Sequence, residues 1–209
     1  ILEKYNFLTL EESKEVLYYQ NGVYVPGGNI IIEKEAEKIF GYELANKDLT
    51  EIKGHIMRKT YHKSIELDND LDIINLQNGL YSITKNELKQ HNPTYLSINQ
   101  KPIAYDPEAK PKLFGKFLKD VLYPQEIRMA IEAMAYTFYS DYPYEYYFKL
   151  FGYGSNGKSV FTALLTSLHG KRNVSNASVK SLIENRFALA DLEFKDINID
   201  SEYSDISIK

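Results

Sequence analysis

The sequence contains no cysteine, which excludes disulfide bonds, thiolate metal sites and cysteine nucleophiles. Tryptophan is also absent. No apolar run approaches the roughly 18–20 residues that a membrane-spanning helix needs, and no signal peptide is recognisable at the start. We therefore expect a cytoplasmic, intracellular protein with no membrane partner. Because the first residue is Ile1, we also expect the chain to be a processed protein or a piece of a longer one.

An excess of positive charge is missing as well. The chain has 25 Lys and Arg residues against 29 Asp and Glu residues, for a formal net charge of −4. Domains that wrap duplex DNA are usually basic. The best small basic patch is "HGKR", residues 169–172, for which we favour a solvated helix end over contact with DNA. Contact with nucleic acid would have to come from such a local patch or from regions outside this chain.

Hydrophobic residues make up 44% of the chain, an ordinary proportion for a globular protein. Asn-Gly pairs at 21–22 and 78–79 predict two β-hairpins, over residues 14–29 and 73–83. Apolar periodicity predicts four helices in the first part of the chain. They cover residues 30–41 with a stop at Gly41, residues 47–62, a segment entered at Asp106-Pro107, and a segment after Pro124.

The helix after Pro124 carries one apolar stripe that we assign to the core. Its members are Ile127, Ala130, Ile131, Met134 and Phe138. Near residue 142 the sequence becomes aromatic and β-prone, so we place a domain boundary at about residue 140. The predicted fold class is α/β: a mixed α+β domain over residues 1–140, followed by a partial P-loop ATPase domain over residues 141–209.

A glycine-rich run between two apolar segments carries the most specific chemistry in the sequence. Gly152-Tyr153-Gly154-Ser155-Asn156-Gly157-Lys158-Ser159 fits the pattern G-x-x-x-x-G-K-[ST] at every fixed position. An apolar, β-prone segment precedes it at Tyr146–Phe151, and a helix is predicted over Ser159–Leu168. This strand-loop-helix context is the one in which the pattern predicts a nucleotide site.

Backbone N–H groups at the start of a helix can point at a triphosphate, and the helix dipole adds to the attraction. We therefore predict that ATP is bound by the loop residues Gly152, Tyr153, Gly154, Ser155, Asn156, Gly157, Lys158, Ser159 and Val160. Lys158 would reach the β- and γ-phosphates and act in catalysis, while the Ser159 hydroxyl would ligate Mg²⁺.

A P-loop enzyme also needs an acidic partner on a neighbouring strand. Ile197-Asn198-Ile199 is short and β-prone, and Asp200 and Glu202 follow it. Carboxylates at that place would hold Mg²⁺ through water and orient the attacking water. Asp200 and Glu202 are thus candidate catalytic and metal-binding residues, with an ordinary solvated acidic turn as the alternative.

The run "GYGSNGKSVF" resembles the Walker A motif of superfamily 3 helicases of the phage, plasmid and poxvirus primase-helicase type. "YYQNGVYV", "INLQNGLYSI" and "YDPEAKPKLFGKFLKDV" resemble the region before the helicase core in that family. "RFALADLEFKDINIDSE" resembles the stretch that leads into its Walker B motif. Glu202 matches the acidic Walker B residue best, with Asp200 as the second carboxylate, although Ser201 separates two acids that are usually adjacent.

The resemblance implies an AAA+-like, DNA-dependent ATPase of DNA replication, active as a homo-hexamer around DNA in the cell or in the host cytoplasm. It also implies a possible primase domain on the same full-length chain. The family's sensor asparagine, DNA-contacting hairpin and arginine finger follow the Walker B motif, beyond Lys209. We therefore expect this chain alone to bind nucleotide without unwinding DNA.

Two alternatives stay open: a small-molecule P-loop kinase, and a non-catalytic module that docks DNA or a partner. Six tyrosines between residues 136 and 147 could stack on single-stranded bases. We favour core packing and linker anchoring for them, because only Lys149 lies nearby. The four histidines lack metal-ligand spacing, and His169 suits a structural place at a helix C-terminus.

Overall fold

The structure is a computed structural model, and it describes residues 1–201 of the chain. This part has a mixed α/β fold with nine strands in three sheets and six α-helices. The strands are β1 (Phe7–Leu10), β2 (Val16–Gln20), β3 (Val23–Pro26), β4 (Tyr61–His62), β5 (Ile73–Leu76), β6 (Gly79–Ser82), β7 (Glu87–Lys89), β8 (Val174–Ser175) and β9 (Ile197–Asn198). The helices are α1 (Gly28–Phe40), α2 (Asn46–Lys59), α3 (Lys112–Val121), α4 (Pro124–Tyr136), α5 (Lys158–His169) and α6 (Val179–Glu184).

The first sheet has the strand order β3-β2-β1-β4, with β4 parallel to β1 and the other pairs antiparallel. The hairpin predicted around Asn21-Gly22 is confirmed as β2 and β3. All four residues of β1 are buried, because both faces of this sheet are covered. Phe7 joins a cluster with the helix residues Ile32 and Ile56 on one side, while Leu8 packs with Leu67 and Ile98 on the other.

Helices α1 and α2 confirm the two helices predicted for residues 30–41 and 47–62. In α1, Ile32 and Ala36 are fully buried and four residues apart, so they lie on one face of the helix. The helix ends at the predicted Gly41, whose N–H donates to the Glu37 carbonyl. The amphipathic pattern alone was sufficient to place both helices to within a few residues.

The second sheet, β5-β6-β7, contains the predicted hairpin around Asn78-Gly79. Its buried Asn75 connects it to the first hairpin, since the side-chain amide donates to the Gly22 carbonyl and to Ser97 Oγ, each at 2.9 Å. The Asn75 carbonyl accepts from the Lys101 amide at 2.8 Å. Residues that follow the second sheet are thereby fixed against both sheets.

The predicted start of α3 at Asp106-Pro107 is wrong, because the helix begins at Lys112. Asp106 instead forms a turn, in which its carboxylate accepts from the Glu108 amide at 2.9 Å. Pro111 then disfavours helical backbone at Lys110. The end of this segment is as predicted, with α4 starting at Pro124.

The core stripe on α4 is confirmed for three of its five members. Met134 is buried, and Ile127 and Ala130 pack against its cluster. Ile131 is exposed, so its assignment to the core was wrong. Phe138 lies beyond the helix and stacks on the ring of His169, with 4.6 Å between centroids.

The strand predicted at Tyr146–Phe151 is absent among the described residues, and each side chain from Tyr146 to Phe151 is exposed. A strand needs a neighbour to accept its backbone hydrogen bonds. In this half of the described chain, the only pairing is between the short strands β8 and β9, and the segment does not join it. Its apolar, β-prone composition was therefore insufficient to predict its conformation.

Glu35 on α1 holds two lysines and gives a pH-dependent contribution to stability. Its carboxylate accepts from Lys38 Nζ at 2.6 Å and from Lys4 Nζ at 2.8 Å. The bond from Lys38 and, to a smaller degree, the bond from Lys4 lower the pKa of Glu35 from 4.5 to about 2. A carboxylate whose pKa is lower in the folded protein stabilises the fold at pH values above its unfolded-state pKa. This stabilisation is lost as the pH falls toward the folded-state pKa.

We expect Glu35→Gln to be less stable than the wild type at neutral pH, and the difference to vanish between about pH 5 and pH 2. Urea denaturation of both proteins across this range measures it. Glu37→Gln, on an exposed position of the same helix, is the control. A difference that persists unchanged at pH 2 would show that the ion pairs are not its source.

Candidate functional site

The glycine-rich run forms an irregular loop that leads directly into α5. Gly157 is the residue before the helix and has a φ of +83°, a conformation that side chains with a Cβ rarely adopt. A Cβ there would also meet Val121 at 2.9 Å and Phe117 at 3.0 Å. The loop therefore ends against the last turns of α3, and glycine is required at that contact.

Lys158 closes the loop on itself. Its ammonium group donates to the Gly152 carbonyl at 2.9 Å and to Asn156 Oδ1 at 2.7 Å. Gly152 permits this closure, because a Cβ on it would lie 1.4 Å from Asn156 Nδ2. The arrangement fixes one positive charge beside the loop backbone.

The loop amides are available to a ligand. Within residues 1–201, none of the amides of residues 153–158 donates to a protein acceptor. They lie at the N-terminus of a twelve-residue helix, the end that attracts anions. Tyr153, Ser159 and Val160 are exposed beside them. The predicted nucleotide-binding residues thus lie in the loop and in the first turn of α5.

Helix α5 is anchored to the helices that precede it in the chain. Phe161 lies in one buried cluster with Leu118 of α3 and Met134 of α4. The Phe161 amide makes the first hydrogen bond of the helix, to the Gly157 carbonyl at 2.9 Å. The turn behind the loop is therefore held by packing on α3 and α4.

The predicted acidic strand is present as β9, which pairs in parallel with β8. Asp200 follows it and is half-buried, and its carboxylate accepts from the Val179 amide at the start of α6 at 2.9 Å. Glu202 lies outside the described residues. Within residues 1–201 no group of three or more His, Asp and Glu side chains could hold a metal ion. Coordination of Mg²⁺ by Ser159, Asp200 and Glu202 stays a prediction.

A buried polar network lies at the other end of α5. Asp196 Oδ2 accepts from Lys101 Nζ at 2.6 Å and lies 3.0 Å from His169 Nδ1. His169 Nε2 is 2.8 Å from Thr137 Oγ1. The His169 side chain has no exposed surface, which confirms the structural place predicted for it. The solvated helix end predicted for "HGKR" is therefore wrong at His169, although Lys171 and Arg172 are exposed. Lys101 and Asp196 could not be recognised from the sequence, because no local pattern connects residues that are 95 positions apart.

A cavity of about 280 Å³ opens beside this network. Its lining includes Asp68, Asn75 and Lys101, which precede α3, residues 137–142, which follow α4, and Asp196, which precedes β9. Burial raises the pKa of Asp68, whose carboxylate accepts from the amides of Ile98 and Asn99. The cavity therefore lies where these three segments of the chain meet.

The tyrosine-rich segment differs from our prediction. Five of its six tyrosines are exposed, so core packing is wrong for them. The rings contact one another instead: Tyr144 stacks on Tyr146 at 5.7 Å, and both Tyr142 and Tyr144 lie beside Tyr136. The Tyr142 hydroxyl also donates to the Tyr146 carbonyl. The segment leading into the loop is thus ordered by aromatic contacts with the end of α4.

Comparison with known proteins locates the family likeness before the loop. Residues 27–123, a little under half of the chain, match the family model described as "D5 N terminal like". No curated protein matches the chain at a significant level. In the part that the structure describes, no helix is both long enough and apolar enough to cross a membrane. The segment from α1 to the end of α3 is therefore similar to the N-terminal region of D5-like proteins, which supports the family suggested by the sequence.

Proposed function

We propose that this chain is part of an ATP-dependent DNA helicase of replication, of the superfamily 3 primase-helicase type. The observation that carries the proposal is the loop of residues 152–159. The amides of residues 153–158 lack protein acceptors among residues 1–201, and Lys158 is held against the same loop by two hydrogen bonds. A row of N–H donors, a helix N-terminus and one ammonium group together suit a polyphosphate.

The chemistry proposed for the loop follows from these groups. The amides of residues 153–158 bind and orient the triphosphate tail. Lys158 contacts the β- and γ-phosphates and stabilises the charge that develops as the terminal phosphoryl group leaves. Ser159, with Asp200 and Glu202, would hold Mg²⁺, which supplies charge neutralisation between the phosphates when bound. We assign the orientation of the attacking water to Glu202 or Asp200.

The segment before the loop supports a helicase more than it supports a kinase. The D5 N-terminal-like domain is associated with primase-helicase proteins, which is consistent with a replication role. A kinase of small molecules would leave residues 1–140, which include this segment, unexplained. Assembly into a ring hexamer around DNA, and a primase domain on the same full-length protein, belong to the same proposal.

Two measurements test the proposal. We expect the chain to bind a fluorescent ATP analogue in the presence of Mg²⁺, measured by anisotropy. We also expect the complete protein to release phosphate from ATP faster when single-stranded DNA is added. Transfer of phosphate to a nucleoside or metabolite would instead indicate the kinase. Absence of nucleotide binding would leave a docking module and overturn the proposal.

A further inference from the structure

The buried network of Lys101, Asp196 and His169 joins three separate parts of the chain. Lys101 lies in the segment after the second sheet, where its amide bonds the Asn75 carbonyl and it pairs with Leu76. His169 is the last residue of α5. Asp196 directly precedes β9, and its amide donates to the Asn173 carbonyl at 2.8 Å. One carboxylate thus bonds a lysine and a histidine from different elements.

His169 and Asp196 lie in segments that lead to the candidate nucleotide site, whereas Lys101 lies in the domain before it. The helix that ends at His169 begins with Lys158 and Ser159. The strand that follows Asp196 leads to Asp200 within four residues. Lys101 belongs to the D5 N-terminal-like segment, residues 27–123. The network therefore connects α5 and the strand before Asp200 to the domain that precedes the loop. It lies at the end of α5 that is remote from the loop.

Asp196 brings the start of β9 into direct contact with α5 through His169, while other bonds join β9 to β8 and to Ala177. Strands β8 and β9 have two residues each, so their pairing supplies few backbone hydrogen bonds. Asn173 adds to the polar contacts, donating to the His169 carbonyl at 2.8 Å and to the Gln100 carbonyl at 3.0 Å. The side chains of Lys101 and Asp196 are largely buried, at 8% and 12% exposed. Buried charge pairs are weakly screened and demand a definite geometry.

We propose that Lys101 is a positioning residue that sets the register between α5 and β9, the strand that precedes Asp200. Through this contact the D5 N-terminal-like segment controls the geometry of the nucleotide site. The proposal rests on the proposed function for its effect on ATP. Its structural part, the coupling of residue 101 to α5 and β9, can be measured without nucleotide.

The test compares Lys101→Met, Lys101→Arg, Asp196→Asn and a matched control, Lys53→Met. Lys53 also pairs with a carboxylate, Glu33, but between α1 and α2. Hydrogen exchange is measured by mass spectrometry over residues 158–169 and 195–200, at a temperature where circular dichroism shows each variant folded. The dissociation constant for a fluorescent ATP analogue is measured on the same samples.

We expect Lys101→Met to raise exchange in both segments and to weaken nucleotide binding about tenfold. Lys101→Arg should keep hydrogen exchange and nucleotide affinity close to the wild-type values, while Lys53→Met should change neither. Asp196→Asn, which keeps the shape and loses the charge, should give the same changes to a smaller degree. It carries the test if Lys101→Met does not fold.

Unchanged exchange and affinity in folded Lys101→Met or Asp196→Asn would overturn the inference. Equal effects of Lys53→Met would do so too, since they would indicate general loss of stability. If the wild-type chain binds no nucleotide, the proposed function fails, and the exchange data still decide whether residue 101 is coupled to α5 and β9.

Discussion

Lys158→Ala is expected to abolish ATP hydrolysis and to leave the fold intact. Among residues 1–201, the ammonium group of Lys158 bonds only the loop itself, through the Gly152 carbonyl and Asn156 Oδ1. No buried cluster in the described part of the chain includes the side chain, so the alanine variant creates no core cavity. It does remove the positive charge nearest to the proposed phosphates, and losing one such electrostatic contact costs about 10²–10³ in kcat.

The measurement is phosphate release by the complete protein, with and without single-stranded DNA, together with ATP-analogue binding by this chain. Lys180→Ala is the matched control, because Lys180 is an exposed lysine on α6. Circular dichroism and the urea midpoint of each variant establish that the fold is kept. Normal hydrolysis by Lys158→Ala would remove the loop from the mechanism and with it the assignment as a motor.

The elements that could be predicted from the sequence are those determined by local interactions. The Asn21-Gly22 and Asn78-Gly79 pairs specify their own turns, and both hairpins formed as expected. Helix α5 follows from its apolar spacing and from the glycines on either side, Gly157 and Gly170. Such signals act over a few residues, so they are present in the sequence whatever the rest of the chain does.

Two errors show where local signals fail. Tyr146–Phe151 has the composition of a strand, yet a strand forms only where another strand accepts its hydrogen bonds, and composition carries no information about that neighbour. The start of α3 failed for a different reason. The Asp106 side chain satisfied a nearby amide in a turn, which competes with helix initiation at the same residues.

The candidate site was predictable in part for the same reasons. The loop and its lysine are adjacent in sequence, so the motif and its flanking helix could be recognised together. The support behind the loop was not predictable, because Phe117 and Val121 approach Gly157 from a helix some 36–40 residues earlier. Lys101 and Asp196 are farther apart still, and nothing in either local sequence indicates a buried ion pair.

Phe161→Ala should cause a large loss of stability in the region formed by α3, α4 and α5. Phe161 is 9% exposed and lies with Leu118 and Met134 in the cluster that joins α5 to α3 and α4. Truncating a buried phenylalanine to alanine costs about 3–5 kcal/mol, through lost transfer free energy and the cavity that remains. Urea denaturation measures the change in the free energy of unfolding.

The control is Val160→Ala, which removes an apolar side chain from the adjacent position, where it is 57% exposed. We expect it to change the free energy of unfolding by less than about 0.5 kcal/mol. Phe161→Ala should also weaken nucleotide binding in the folded protein, because the first turn of α5 carries Lys158 and Ser159. A small effect of Phe161→Ala on stability would mean that α5 does not depend on α3 and α4. The D5 N-terminal-like segment, which ends with α3, would then not be the support on which the loop is built.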